Sequence, residues 1–345
     1  MPVTIRTTNL DASVGGNNIA NAFGARVSLG YDMSYGTASV DIAGDWPGGN
    51  FGDSIDIIVM GENWFSGVLV QVDYTLYPRQ ITAQARGRMS ALEQFRPPGE
   101  INPREAGFLL DDLTGGPATD EAIVSTVLDL AGVSTNGGSI GGTGTTMGTV
   151  APEEFAWKGK ESALSYIQRI DQISLGYRTF ESTGGTIFRS QVSTIPEGGS
   201  DFTFTEGEDI ASATNTRSIQ EAYNAVRVSG YDKGDFLDPR IFVAGGGDRL
   251  FELENQMIER RAESSIGEGI SCEAMANYWL NELDRVLVKL RMTTPRNDNI
   301  GPGQVHNIVA SSRLGQSGNL WVQRVDKEYA SDGKISQTMT YVGAG

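Results

Sequence analysis

The feature that most constrains this chain is a period-two alternation of apolar residues, cut at short intervals by glycine. From Val27 to Ala85, Ile55, Ile57 and Val59 form one alternating set and Val68, Val70 and Val72 the next, with a turn around Gly61 to Gly67 between them. Ile81, Ala83 and Ala85 make a third. Side chains on a strand point alternately to opposite faces, so such runs are half-buried strands, and glycine supplies the turns. The segment reads as an antiparallel meander of about one barrel's size.

Pro97-Pro98-Gly99 ends this pattern and marks a boundary. Thr119 then caps a short helix, with Asp120 and Glu121 in its first turn and Ile123, Val127, Leu130 and Ala131 along one face. After a Gly/Thr-rich loop from Gly137 to Gly148, a second helix runs from about Lys160 to Leu175, burying Ala163, Tyr166, Ile167, Ile170 and Ile173. A hairpin from Tyr177 to Arg189 turns at Gly184-Gly185. Strand signals return after Asp201, notably at Asn224 to Val228. A long amphipathic helix follows, opened by Ser271 and carrying Cys272, Ala276, Trp279, Leu280, Leu283, Val286 and Leu287 on the stripe that packs against a sheet. Three strands close the chain near 305–309, 320–325 and 335–342.

The two ends echo one another. Gly52 precedes Ile55-Asp56-Ile57, then Gly67 to Asp73, then Ile81-Thr82-Ala83; Gly303 precedes Val305 to Val309, then Asn319 to Asp326, then Ile335 to Thr338. Either the meander is duplicated, or any two glycine-turned meanders look this similar. If it is duplicated, three copies of the chain supply six equivalent wall segments, which is how a trimer matches a six-fold tube.

Composition narrows the function classes. With 43 acidic against 27 basic residues the net charge is −16, which disfavours binding by phosphate neutralisation. A wall of like charge would keep a passing polyanion mobile. The single cysteine, Cys272, excludes an intramolecular disulfide and fits a reducing compartment, and with one histidine, His306, there is no His/Cys zinc site. Neither a signal peptide nor a membrane span is expected.

Candidate chemistry is sparse. The loop Gly141 to Gly148 lacks the Gly-Lys-Ser/Thr ending of a phosphate cradle and reads as a flexible surface loop. Asp111-Asp112 and Glu153-Glu154 are the carboxylate pairs a glycoside hydrolase would need, yet neighbours in sequence usually diverge, and a solvated acidic face is the default. His306 stands in a strand beside Asn307 without a nucleophile elbow and reads as a hydrogen-bonded strand histidine. Arg79, Arg86, Arg88 and Arg96 form the basic concentration of the first domain, at a subunit boundary or in solvent. Trp64, Trp157 and Trp321 are core residues or interface anchors. No catalytic, cofactor-binding or metal residue is assigned, and no cofactor is expected.

The order of these segments resembles the central tail-hub family of phages and related injection machines, including the late-control protein D group. The residues that carry the resemblance are Gly52 to Ile57 leading to Phe65-Ser66-Gly67-Val68; Ala85 to Leu92; Ser162 to Ile167; Asn224 to Gly230; and Gly301-Pro302-Gly303. The resemblance implies an α+β, β-rich chain with two antiparallel β-barrel tube-type domains, over 1–97 and 201–345, and an α/β insertion over 98–200; the second barrel would carry the helix near 271–288. It implies a virion protein of a tail tip or baseplate, assembled in the host cytoplasm as a homotrimeric ring. Its partners would be a tail tube or distal tail protein, a spike or tail-tip protein and a tape-measure protein, with DNA passing through the lumen unbound and no stable membrane insertion. Family members with fused lytic modules exist, and none is seen here, so the expectation is a structural protein and not an enzyme. A carbohydrate- or receptor-binding tail component and a tail-associated cell-wall hydrolase remain as alternatives.

Overall fold

The computed structural model describes residues 10–46, 48–76, 79–97, 119–145, 157, 160–192, 199–217, 225–229, 241–245, 258–262, 272–286, 288–310, 314 and 317–342. Seven strands open the chain: β1 Leu10–Val14, β2 Asn17–Asn18, β3 Ala22–Gly30, β4 Thr37–Ala43, β5 Ser54–Val59, β6 Glu62–Thr75 and β7 Gln80–Gly87. Their alternating residues do what the period requires. Leu10, Ala12, Val14, Ala25, Val27, Leu29, Val40, Ile42, Ile55, Ile57, Val59, Ile81 and Ala83 all enter one core, while the intervening Ser, Thr, Gln, Asp and Arg face outward.

A helical layer follows, with α1 Ser90–Gln94, α2 Asp120–Leu130 and α3 Ala163–Ile173, then the hairpin β8 Tyr177–Glu181 and β9 Ile187–Gln191. The hairpin turns at Gly184 and Gly185, both at positive φ (65° and 67°), as the glycine pair requires. Ser162 caps α3, its hydroxyl accepting the Ser165 amide at 3.1 Å. In α2 the buried face is Ile123, Val124, Val127 and Leu128, whereas Leu130 is 40% exposed. The expected stripe holds through Ile123, Val127 and half-buried Ala131, which packs on the same core, but not at Leu130. Leu128 continues the i, i+4 row from Val124, and Leu130 lies two residues, about 200°, further round the helix.

The remaining elements are β10 Phe202–Thr205, β11 Ser212–Arg217, β12 Ala225–Ser229, β13 Ile241–Gly245, β14 Ile258–Ala262, α4 Cys272–Val286, β15 Val288–Thr294, β16 Val305–Val309, β17 Gly318–Tyr329 and β18 Ile335–Val342. As expected, α4 packs on a sheet, the small one formed by β13, β12 and β14. Val226 and Val228 of β12, with Met275, Ala276 and Leu280 of α4, share one core with α2, α3 and Trp157. A separate core of Phe204, Leu290, Met292, Ile308, Val322, Val325, Met339 and Tyr341 lies under the last strands.

The chain is β-rich with few helices among its described residues, and its main sheet is antiparallel save for the β10–β16 pair. Two closed barrels were expected. Instead, the described strands form one open thirteen-stranded sheet in the order β11-β15-β18-β17-β3-β4-β7-β6-β5-β1-β2, with β16 and β10 branching from β17. The reason is a long-range joint: β3 pairs with the C-terminal part of β17, Leu29 opposite Val325 and Ala25 opposite Tyr329, so the halves fuse edge to edge. The first half nevertheless curls until β1 meets β3 across its interior.

Within this sheet the strand order repeats. The first half runs β3-β4-β7-β6-β5-β1 and the second β11-β15-β18-β17-β16-β10, each in the same order along the chain. The long strand of each half carries a bulge against its neighbour, between Leu69 and Gln71 in β6 and between Val322 and Arg324 in β17. Aligning the bulges sets Val72-Asp73 on Val325-Asp326, as the sequence echo does, and adds Thr82 on Thr338. One pair departs from the repeat: β1–β5 is antiparallel and β10–β16 parallel.

Candidate assembly surface

The outward face of the large sheet is polar because alternation leaves it the residues that the core rejects. Many of its charges are paired with charged or polar neighbours. Across the joint, Ser28 donates to Asp326 at 2.6 Å and Arg26 Nε donates to Glu328 at 3.1 Å, and within β17 Arg324 lies 3.0 Å from Asp326. Further along, Thr82 donates to Asp41 at 2.8 Å and Gln84 to Asp73 at 2.6 Å, and the Thr293 and Thr338 hydroxyls meet at 3.0 Å. A shallow depression of about 570 Å³ runs over this face between Arg26 and Arg86. No enclosed pocket of catalytic type is needed to explain such a surface; hydroxyls, amides and balanced charges make it hydrophilic without a net attraction for either sign.

The expected candidates scatter. His306 lies in β16, fully buried, hydrogen-bonded through Nδ1 to the Tyr341 hydroxyl at 2.8 Å and packed against Phe202 and Phe204. Burial, helped by nearby Arg296, pushes its pKa down to about 3, so it is neutral at pH 7 and has no nucleophile beside it. Trp64 is buried and donates to Asn297 Oδ1 at 2.9 Å, and buried Trp157 stacks on Tyr166 with centroids 5.5 Å apart. Trp321 is half-buried in β17. Arg79 pairs with Asp45, Arg86 lies over the Tyr35 ring at 5.4 Å, and Arg96 donates to the Glu93 and Gln94 carbonyls. Arg88 lies near Glu181, so the four arginines do not form one patch directed at a single ligand. Asp111, Asp112, Glu153 and Glu154 lie outside the described residues, as do 146–148 of the glycine-rich loop.

The described part of that loop is anchored, where a free surface loop was expected. Thr143 donates through its amide to Asp120 Oδ1 at 3.0 Å, and the Gly141 carbonyl accepts from Arg189 Nη1 at 2.6 Å. Arg189 is the centre of a charge cluster that the sequence reading missed: its Nη1 lies 3.0 Å from Asp120 and its Nε 2.8 Å from Asp171, all three side chains buried. The signal was present in the alternation, since Arg189 shares the inward face of β9 with Ile187. Burial raises the Asp171 pKa against the pull of Arg189. Burial also opposes ionisation of Asp120, but contacts with Glu121, Arg189 and Thr143 hold its pKa below the usual carboxylate range. With all its members enclosed, the cluster ties α2, α3, β9 and the loop together and offers a substrate no access.

Among the described residues there is no group of three or more His, Cys, Asp or Glu that would hold a metal ion, and no helix long and apolar enough to cross a membrane.

Two of the sheet's unfilled edges belong to equivalent places in its halves. Among the described residues β11 pairs only with β15, and β6 beyond Leu69 has no strand on its β5 side. Tyr74 and Leu76 at that edge are 66% and 78% exposed.

No family model matches the sequence, and no curated protein matches it either. Solved structures do. The tail protein from Neisseria meningitidis MC58 superposes with a TM-score of 0.73 over 98% of this chain and 97% of that one, at 11% identity. The 43 kDa tail protein of prophage MuSo2 from Shewanella oneidensis gives 0.71 over 97% and 98%, at 10% identity. The E. coli c3393 protein, a component of the type VI secretion system with structural similarity to the T4 bacteriophage tail proteins gp27 and gp5, gives 0.57 over 97% of this chain and 75% of that one, at 10% identity. At these identities the likeness is one of architecture, and it spans nearly every residue: this chain has the fold of phage tail proteins.

Proposed function

We propose that the chain is a structural hub subunit of a phage-type tail tip or baseplate, and that three copies form a ring continuing the tail tube toward a spike or tip protein. The observation that carries this reading is the repeated six-stranded order, which gives each chain two equivalent wall segments. Three chains then present six to a tube of six-fold symmetry. The end-to-end likeness to two tail proteins, one of them from a prophage, supports the setting in a virion tail.

In this reading each half is a barrel-type tube module, and the polar sheet face lines the lumen. Low adhesion follows from pairing: each of Arg26, Asp41, Asp73, Asp326 and Glu328 already has a partner on the same face, so a passing DNA or tape-measure protein finds few free charges. The balance on this face replaces net acidity as the reason DNA slides. β12 and α4, which share a core with α2 and α3, belong in this reading to the α/β unit outside the ring. The role is mechanical, without catalysis.

Native mass measurement of the purified full chain tests the ring. Three copies, or a multiple of three, is the expected result; a monomer persisting at high concentration rejects it.

A further inference from the structure

β17 outruns β16. Past the end of that pairing, its residues Arg324–Tyr329 are covered by β3, in a register that sets Asp326 opposite Ser28, Lys327 opposite Val27 and Tyr329 opposite Ala25. β6 holds the same place in the first half and likewise outruns β5, but among the described residues nothing covers Gln71 to Thr75. Exposure follows the difference. Lys327 and Tyr329 are 1% and 2% exposed, while Tyr74 and Leu76, at the matching positions, stand in solvent. An uncovered strand edge carrying a tyrosine and a leucine is a template for another strand. At the far end of the sheet β11, the counterpart of β3, has no strand on its outer edge among the described residues. The chain thus carries one socket and one plug of a joint that it already makes once internally.

The geometry points to β11 of one copy pairing antiparallel with β6 of the next, in the register that β3 makes with β17. This rests on the ring reading and specifies its contact between subunits. Carried across by the matched bulges and ladders, the register sets Asp73 opposite Thr216, Tyr74 opposite Asn215, Thr75 opposite Thr214 and Leu76 opposite Ala213. Three details fit. Asp73 meets a hydroxyl, as Asp326 meets Ser28 in the internal joint. Leu76 takes the place of Tyr329, beside Ala213, which packs on the second-half core. Asn215, opposite Tyr74, donates its amide nitrogen to the Leu314 carbonyl, while its buried side-chain oxygen has no partner among the described residues. The contact is heterologous, so it forms rings only when its rotation closes, and a closed ring leaves neither of these two edges exposed.

Cross-linking of the full chain tests the register. Six strands separate β11 from β6 within one chain, so a Thr75→Cys, Thr214→Cys pair in a Cys272→Ala background can bridge only between copies. Directly opposed strand residues have Cα atoms within disulfide reach. Mild oxidation is expected to give covalent dimers and trimers that reductant dissolves, at least about tenfold more than a Thr75→Cys, Thr216→Cys pair set two residues out of register. In a separate variant, Leu76→Arg is expected to weaken self-association by at least about a hundredfold while leaving the circular dichroism and melting temperature unchanged. Trimers by native mass that do not cross-link through Thr75 and Thr214 would overturn this pairing and leave the ring standing. Monomers throughout would overturn both.

Discussion

Lys327 sits where the two halves of the sheet meet, buried between β3 and β18, with its ammonium nitrogen lacking a hydrogen-bond partner among the described residues and lying 5.6 Å from the Trp64 ring centre. Burial pushes its pKa down to about 7, against the attraction of Glu62 and Asp298. In the unfolded chain the same amine titrates near 10.5. Between pH 7 and 10.5 the unfolded chain therefore binds the extra proton, so Lys327 makes stability rise with pH across that window. Lys327→Met should remove that rise in urea unfolding followed from pH 6 to 10, and should stabilise the protein at pH 7 by about 1–3 kcal/mol, because an apolar chain of similar length needs no partner. An unaltered pH slope in the variant would show the amine to be solvated. His306 works at the other end of the scale. Its folded pKa of about 3 lies below the ordinary 6.5, so its contribution is present above pH 6.5 and lost as pH falls toward 3. His306→Asn should flatten acid unfolding in that window, at some cost from the lost Tyr341 contact.

At the scale of elements, the joints are made by buried polar groups that bridge strands and helices far apart in sequence. Glu181, at the end of β8, accepts the amides of Gly36 at 3.0 Å and Met89 at 3.1 Å, tying the hairpin to the turns after β3 and β7. A Cβ on Gly87 would overlap this carboxylate, so Gly87→Ala should destabilise the chain by about 2 kcal/mol or more, read as a fall in melting temperature, by leaving the carboxylate unsatisfied. Arg189→Met is the harsher test. It leaves Asp120 and Asp171 facing one another without their cation, at a cost of about 3–5 kcal/mol. Most elements themselves were legible in the sequence: the β5–β7 and β16–β18 meanders by period two, α3 by its apolar stripe, the hairpin by its glycine pair. What local pattern did not carry was how they join. The pairing of Ala25 with Tyr329 depends on which edges remain free after both halves have folded, and no local periodicity records that. For the same reason Trp64 was readable as a core residue, but its bond to Asn297 across the two halves was not.

Considered as a whole, the molecule has one departure from its own repeat that its topology explains. In the first half, β3 passes to β4 through a short turn over residues 31–36, with Ser28 opposite Thr37. In the second half the equivalent strands are β11 and β15, and Arg217 at the end of one lies directly opposite Val288 at the start of the other. The chain leaves the sheet at that point and returns to the same place, having built β12, β13, β14 and α4 on the way. Those elements pack into the core of α2 and α3, and the strands they interrupt keep a separate core of their own. Residues 218–287 therefore behave as an insertion in a hairpin, and two residues suffice to close the gap they leave, since a ladder this regular accepts an Asn-Gly turn. Replacing 218–287 by Asn-Gly should preserve slow hydrogen exchange in β15, β17 and β18, because the partners of those strands are untouched. The same variant should bind a hydrophobic dye on the face of the helical layer that α4 covered, and should lose the circular dichroism of α4 and of the small β13-β12-β14 sheet while keeping that of the thirteen-stranded sheet. Loss of exchange protection in β18 would mean instead that the sheet depends on α4, and that the second half is not the self-standing counterpart of the first.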